Sequence, residues 1–243
     1  MTDHLTELRQ RLMVSVTALL VGFAAAYVWR DRLLELLTRP LPGHAEHLVT
    51  LSPTEPFMTT LKVCLWAAVV VSVPVWIAQI YAFVAPAMPT QPRRVLIGHV
   101  ITLSGLFLAG VAFTYTFVLP PALGFLLGFG GPMFNAQVRA GEYFSFVTTL
   151  LLAGGLVFEI PVAMAGLARL GVASAQLYRR QWRLAIVAIA ALSAALPGGD
   201  PASMMLLMVP QLVLYAVGIA LSSRVQARAE RPWWVSGDAA PDS

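Results

Sequence analysis

Charged side chains are scarce in this sequence, and cysteine is nearly absent. Only 12% of the 243 residues are charged, whereas 58% are apolar and the mean hydropathy is +0.75. A soluble domain carries about 25% charged residues, so this composition excludes a disordered chain, a coiled coil and almost any soluble enzyme. The single cysteine, Cys64, excludes an internal disulfide and a CxxC metal or redox motif. The apolar surface is too large to bury in one globule, which predicts a membrane protein.

Several catalytic motifs are missing as well. The sequence has no HExxH, GxSxG or Walker lysine motif. Gly198-Gly199-Asp200 is superficially similar to the GxGD of aspartyl intramembrane proteases, but no second membrane aspartate is available to share a proton with it. His44 and His47 have a spacing that zinc ligands use, but no further ligand is evident in their proline-bounded loop. We therefore predict no enzyme, no metal and no cofactor.

Six apolar segments occupy most of the chain, at 13–29, 61–85, 95–117, 146–168, 184–196 and 202–221. A helix of about 20 residues crosses the hydrocarbon core of a bilayer, so the first four segments predict transmembrane helices. The fifth reaches only about 20 Å at 1.5 Å per residue, and a strong turn separates it from the sixth. We predict an all-α integral membrane protein of six transmembrane helices, with helices five and six short.

The domain organisation follows from the same segments. We predict a single transmembrane domain at 1–221, including an amphipathic amino-terminal helix at 3–12, and a polar cytoplasmic tail at 222–243. The long connections at 30–60 and 118–145 are predicted to be loops that fold over the outer helix ends.

Arginine and lysine are distributed unevenly between the segment ends. Eleven arginines flank one set of ends, whereas five basic residues flank the other. The positive-inside rule then places both termini in the cytoplasm. Because the basic residues form short clusters between apolar runs, we read them as a topology signal and predict no nucleic-acid partner.

Three acidic residues need an explanation. Glu7 is an i, i+4 neighbour of Arg11, and it is either a solvated interfacial charge or a docking point for a basic ligand. Glu159 lies deep in the fourth segment, where a carboxylate is costly unless it is paired, hydrated or neutral, and it is either a functional acid or a cap for the backbone gap made by Pro161. Asp200 lies in the outer turn, where the residue pattern by itself favours a turn or capping role.

The stretch His4-Leu5-x-Glu7-Leu8-Arg9-x-Arg11-Leu12 resembles the amino-terminal signature of TatC, the multispanning subunit of the twin-arginine protein translocase. Further matches follow in the same order. They are Glu55-Pro56-Phe57 with Leu61-Lys62-Val63, the stretch from Gln79 to Ala87, Phe158-Glu159-x-Pro161, and Asp200-x-x-Ser203 with Pro210. The resemblance covers about residues 4–220 in register.

This resemblance implies a concave, glove-like bundle in the cytoplasmic membrane of a bacterium or archaeon. It implies recognition of the twin-arginine signal peptides of folded precursors, association with TatA and TatB, self-association, and transport driven by the proton-motive force. By position, it implies signal-peptide binding by Glu7, Arg9, Leu12, Phe83 and Pro86, and functional acids at Glu159 and Asp200.

Three positions depart from the family pattern. Pro92 replaces an acid that usually precedes the basic pair of the first inner loop, so Glu7 is expected to be the main anionic contact. Ala216 replaces a glutamate of helix six, and Met204 replaces a polar residue, often glutamine. The face of helices five and six is therefore expected to be unusually apolar.

Two other functions remain open from the residues. A small-solute transporter or channel would place Glu159 along its path. An intramembrane hydrolase is the weaker alternative, because no pair of nucleophile and base is visible.

Overall fold

The structure, a computed structural model, describes residues 2–41, 48–84, 93–128, 137–169, 171–195 and 201–229. Within these ranges the chain forms ten α-helices, one π-helical segment and two strands of two residues each. The helices are α1 (Thr2–Val28), α2 (Arg30–Thr38), α3 (Glu55–Val84), α4 (Arg93–Phe113), α5 (Leu119–Gly128), α6 (Ala140–Phe158), α7 (Ile160–Arg169), α8 (Ala175–Arg180), α9 (Trp182–Ala195) and α10 (Pro201–Ala229). The π-helical segment is Thr114–Val118, and the strands are β1 (Leu48–Val49) and β2 (Val138–Arg139).

Five helical stretches are long and apolar enough to cross a membrane, which confirms the prediction of an all-α membrane protein. They are Thr6–Val28, Glu55–Ile80, Ile97–Gly128, Ala140–Arg169 and Leu207–Ala227. The remaining apolar helix, α9, has 14 residues and a length of about 21 Å. The prediction of a short fifth helix is therefore confirmed.

The prediction of a short sixth helix needs a correction. α10 has 29 residues and continues through residues 222–229, so the predicted domain boundary at 221 falls inside a helix. Residues 222–229 are more polar than the preceding segment, but they include neither glycine nor proline. Serine, arginine, glutamine and alanine are all compatible with a helix, so the helix extends past the end of the apolar run.

The amino-terminal helix is continuous with the first transmembrane span. α1 runs without a break from Thr2 to Val28, so the predicted amphipathic helix at 3–12 is its first part and not a separate element. Leu8 and Leu12 are both exposed on this helix.

Both predicted outer loops contain helices. In the first, α2 packs Leu33, Leu34 and Leu37 against the core. In the second, α4 continues through the π-helical segment into α5, so the outer connection begins only after Gly128. Two prolines, Pro120 and Pro121, directly follow this π-helical segment, and because they have no backbone N–H, the carbonyls of Thr116 and Phe117 lack their usual helical donors.

A helix break lies between α6 and α7. Pro161 has no N–H group and would clash with the carbonyl of Val157 in a continuous helix. α6 therefore ends at Phe158, and α7 starts again at Ile160. Glu159 is the single residue between them, and its backbone N–H donates to Leu156 O at 3.1 Å.

The core lies toward the end of the bundle where α3 and α6 begin, which we call the outer end. Buried residues from α2, α3, α5, α6 and α10 meet there. Two tyrosine hydroxyls fix α2 on this core, because Tyr143 donates to Leu37 O and Tyr115 to Leu36 O, each at 2.7 Å. The opposite end, where α1 begins and α10 ends, is the inner end.

α4 and α6 approach each other closely at glycine residues. A Cβ atom on Gly110 would lie 2.8 Å from the carbonyl oxygen of Gly154, and one on Gly155 would lie 2.6 Å from the ring of Phe107. Small residues allow transmembrane helices to pack backbone against backbone. This crossing positions Glu159, which follows one turn after Gly155.

Candidate functional sites

A polar cavity lies at the inner end between the first turns of α1 and the last turns of α3. It has a volume of about 300 Å³ and is lined by Glu7, Gln10, Arg11, Val14 and Gln79. Oε1 of Glu7 accepts hydrogen bonds from Nε of Arg11, at 3.2 Å, and from one of its terminal nitrogens. Both side chains are partly exposed. The cavity, which we call the Glu7 cavity, thus already holds one guanidinium group against a carboxylate.

The structure places the other predicted signal-peptide residues less closely. Phe83 is half-buried on α3, four residues after Gln79 and therefore on the same helix face. Arg9 and Leu12 are exposed on α1 but do not line the Glu7 cavity. Pro86 lies outside the described residues.

An apolar groove continues from the Glu7 cavity along the α1–α3 surface. It has a volume of about 700 Å³, and Gln10 and Val14 line both the groove and the cavity. Most of its lining is aliphatic. The hydroxyl of Ser72 is buried beside it without a hydrogen bond in the described structure. The charged site at the inner end is therefore followed by an apolar groove that runs toward the outer end.

Glu159 is a buried acid in the middle of the bundle. Both of its carboxyl oxygens are buried, and neither has a hydrogen-bond partner among the described residues. Its carbonyl accepts from Ala163 N at 2.9 Å, so the main chain, and not the carboxylate, joins the two helices. The Glu159 side chain therefore does not cap the backbone gap beside Pro161 in the described structure.

Gln211 is a buried polar residue that the sequence analysis missed. Its side chain is 2% exposed, and its amide oxygen accepts no hydrogen bond from any described residue. It lines a cavity of about 20 Å³ with Thr114 and Gly154. Gln211 lies seven residues after Met204, which is two helical turns along the same face. The sequence signal for Gln211 was therefore its spacing from Met204, a position where the family resemblance implies a polar residue.

The outer end is held together by a second acid. Glu55 accepts hydrogen bonds from Arg139 Nε at 2.9 Å, Gly141 N at 3.1 Å and Leu51 N at 2.9 Å. Its side chain is only 7% exposed. The hydrogen bond to Glu55 raises the pKa of Arg139 above its ordinary value. Beside this pair, β1 and β2 run parallel, with Leu48 opposite Val138.

Two predictions about acids and metals fall outside what the structure describes. Asp200, His44 and His47 all lie in undescribed segments. Among the described residues, no three His, Cys, Asp or Glu side chains come together as a metal site would require.

Nearly the whole chain is similar to proteins of one known family. Residues 3–210 match the family described as "Sec-independent protein translocase protein (TatC)". The TatC of Carboxydothermus hydrogenoformans is 34% identical over 227 residues, covering 93% of this chain and 93% of that protein. The TatC of Deinococcus radiodurans is 36% identical over 228 residues, covering 90% and 84%.

The three-dimensional comparison gives the same result. A crystal structure described as the twin arginine translocase receptor TatC superposes with a TM-score of 0.81 at 32% identity. The superposition covers 92% of this chain and 99% of that one.

Proposed function

The chain belongs to the TatC family of Sec-independent protein translocase proteins, and from this premise we propose that its Glu7 cavity binds the arginine pair of twin-arginine signal peptides. The protein is a multi-pass membrane component of protein transport and the receptor subunit of the twin-arginine translocase. The single observation that carries the site assignment is the Glu7 cavity with its bound guanidinium.

The chemistry of the cavity suits an arginine ligand. A guanidinium group is permanently charged and pairs with a carboxylate through directed hydrogen bonds. Arg11 already makes this contact with Glu7, which supports the geometry for an incoming arginine. Gln10 and Gln79 add polar groups to the same cavity. A signal arginine would share or displace the contact that Arg11 makes.

The apolar groove between α1 and α3 suits the apolar segment of a signal peptide. A signal peptide carries a positively charged segment followed by an apolar segment of about 7–15 residues. The Glu7 cavity and the apolar groove have the same order. We propose that the apolar segment of the signal lies along this groove, with Phe83 contacting the peptide near the inner end.

The orientation in the membrane follows from this assignment. The inner end, which carries the Glu7 cavity, faces the cytoplasm, where precursors are folded. The excess of arginine at the same end supports this orientation, so both termini are cytoplasmic in the proposal.

The partners are proposed from family membership. TatA and TatB, or one TatA-like protein, associate with the helix bundle, and copies of this chain associate with one another. Leu184, Val187 and Leu192 are exposed on α9, which supports contacts by van der Waals packing. Glu159 keeps the interior polar for a signal or partner helix that inserts after recognition, and the proton-motive force drives transport.

The alternative of a small-solute transporter receives less support. Its path would have to pass the carboxylate of Glu159, but both oxygens of that group are buried within the protein. The relatives found by comparison are translocase proteins.

The decisive experiment measures signal-peptide binding to the full-length protein in lipid nanodiscs. Matched peptides carry either an Arg-Arg or a Lys-Lys pair before the same apolar segment. We expect the Arg-Arg peptide to bind more tightly. Glu7→Gln should lower its affinity about ten-fold or more, because hydrogen bonds to charged groups contribute about 1.5–3 kcal/mol.

A matched control exists at the other end of the bundle. Glu35 pairs with Arg39 at the same i, i+4 spacing and is exposed. Glu35→Gln should leave peptide affinity unchanged. Equal affinity for the two peptides, or equal loss in both variants, would remove Glu7 from the recognition site.

A further inference from the structure

The last third of the chain is strongly basic at the inner end. Between residues 160 and 229 the sequence contains six arginines and one acid. The acid, Asp200, lies outside the described residues, and α10, which follows it in the sequence, begins at the outer end. Three of the arginines, at 179, 180 and 183, fall within five residues around the α8–α9 junction. We call these three arginines with Trp182 the basic junction.

Hydrogen bonds hold α8 in a fixed position against α10. Tyr215 donates to Tyr178 O at 2.9 Å, and Ala175 N donates to Gln226 Oε1 at 3.0 Å. A terminal nitrogen of Arg179 donates to Ser223 Oγ at 3.2 Å. The three α10 residues, at 215, 223 and 226, span about three turns of that helix. The backbone of the basic junction is therefore held in a defined position against α10.

Tyr178, which accepts the hydrogen bond from Tyr215, also holds α8 in position through its own side chain. The hydroxyl of Tyr178 donates to Met164 O at 3.3 Å, which ties α8 to α7 as well as to α10. Burial also raises the pKa of this hydroxyl above its ordinary value.

The charged groups of the basic junction remain available. Arg180 and Arg183 are exposed, and neither forms an ion pair with any residue that the structure describes. The guanidinium carbon of Arg183 lies 5.7 Å from the centroid of the Trp182 ring. Trp182 is 51% exposed and the nearby Val172 is 70% exposed. Exposed tryptophan beside arginine is typical of the boundary between hydrocarbon and headgroups.

We propose that the basic junction binds the headgroup of an anionic phospholipid that carries two phosphates. Three guanidinium groups on a backbone that α10 holds in place match two phosphates, since each guanidinium donates several hydrogen bonds to phosphate oxygens. Basic pockets between transmembrane helices on the cytoplasmic side bind such headgroups. A lipid fits better than an acidic protein because the apolar helices α7 and α9 end and begin on either side of the basic junction, so its arginines lie next to apolar surface. This site is distinct from the Glu7 cavity and does not depend on signal-peptide binding.

The test is native mass spectrometry of the delipidated full-length protein in detergent. The probes are tetraoleoyl cardiolipin with two phosphates, dioleoylphosphatidylglycerol with one, and dioleoylphosphatidylcholine with no net charge. Glycerol phosphate tests free phosphate, and a polyglutamate peptide tests an acidic protein. We expect cardiolipin to bind most tightly and glycerol phosphate not to bind.

The variants locate the site. Arg179→Gln/Arg180→Gln/Arg183→Gln should weaken cardiolipin binding about ten-fold or more, because each basic residue at an anionic surface contributes about five-fold. The control Arg30→Gln/Arg32→Gln/Arg39→Gln removes the same charge from the outer end and should have little effect. If the first variant does not fold, Arg180→Gln/Arg183→Gln keeps the contact between Arg179 and Ser223 and should still weaken binding.

Several results would overturn the proposal. Equal weakening in the two triple variants would show that cardiolipin responds only to net charge. Unchanged binding in the junction variants would place the lipid elsewhere. Binding of polyglutamate without binding of cardiolipin would make the basic junction a protein-docking surface.

Discussion

Glu7 forms an ion pair with Arg11, one turn further along the same helix. The sequence spacing predicted the pair with Arg11, and the structure confirms it. The pairing has a consequence for recognition that the spacing did not show. Arg11 occupies the carboxylate that a signal arginine would need, so the two cations compete for one site.

Arg11→Gln is therefore expected to strengthen binding of the twin-arginine peptide, because it removes the internal competitor for Glu7. The expected gain is about 1.4-fold to five-fold, which corresponds to an exposed ion pair of about 0.2–1 kcal/mol. Peptide titration in nanodiscs measures it, and Arg39→Gln, which removes the equivalent partner of Glu35, is the control. Loss of binding in Arg11→Gln would show instead that Arg11 contacts the peptide.

Glu159→Ala is expected to leave peptide binding unchanged while export falls about ten-fold, the factor that a loss of about 1.4 kcal/mol produces. Its buried carboxylate is remote in sequence and position from the Glu7 cavity, so it acts after recognition. Glu159→Gln should be milder, because it keeps hydrogen-bonding capacity. Binding and export are measured on the same membranes, with Glu142→Ala as an exposed control on α6.

Either of two results would contradict this assignment. Full export in Glu159→Ala would reduce the residue to a packing detail beside Pro161. A parallel loss of binding would move it into the recognition site.

At the scale of elements, the apolar runs predicted which helices exist but not where they end. α10 passes its apolar run because nothing in residues 222–229 breaks a helix. α2 was missed because it is short, charged and followed by prolines, and its leucines pack only once the outer end has assembled. The π-helical segment before Pro120 was missed because a wider turn depends on the packing of Thr114 against α6.

The crossing of α4 and α6 depends on the absence of side chains at its glycines. Gly110→Ala would place a methyl group 2.8 Å from the backbone of α6, and we expect it to lower the free energy of unfolding by about 1–3 kcal/mol. Gly105, on the same helix, has nothing within 4 Å of such a group. Gly105→Ala should be neutral or raise stability by about 0.5–1 kcal/mol. Thermal unfolding in detergent compares the two, and equal effects would refute a close crossing.

At the scale of the whole molecule, the sequence predicted more of the fold than of the sites. The six apolar segments were enough for the membrane class and its helix order. The buried positions of Gln211 and Glu55 were not predictable in this way. Each depends on the rotation of a helix about its axis or on a partner far along the chain, and neither is visible in local composition.

The proposed topology predicts that reporter fusions at Ser243 and at His44 give opposite results. The fusion at Ser243 should report the cytoplasm and the fusion at His44 the outer compartment, because arginine is concentrated at the inner end. Paired phosphatase and fluorescent-protein fusions measure this. An outer signal at Ser243 would show that the bundle has the opposite orientation, with the Glu7 cavity on the side away from the folded precursors.

The pair of Glu55 and Arg139 sets an order of events during synthesis. The two residues are 84 positions apart, so at about 5–20 residues per second Arg139 is made roughly 4–17 s after Glu55. α3 is completed about a third of the way through that interval, and for the rest of it α1 and α3 are available for insertion while the carboxylate at the start of α3 lacks its guanidinium. The ion pair at the outer end can therefore form only after α6 has been synthesised. The rate of translation determines how long α1 and α3 remain in the membrane without it.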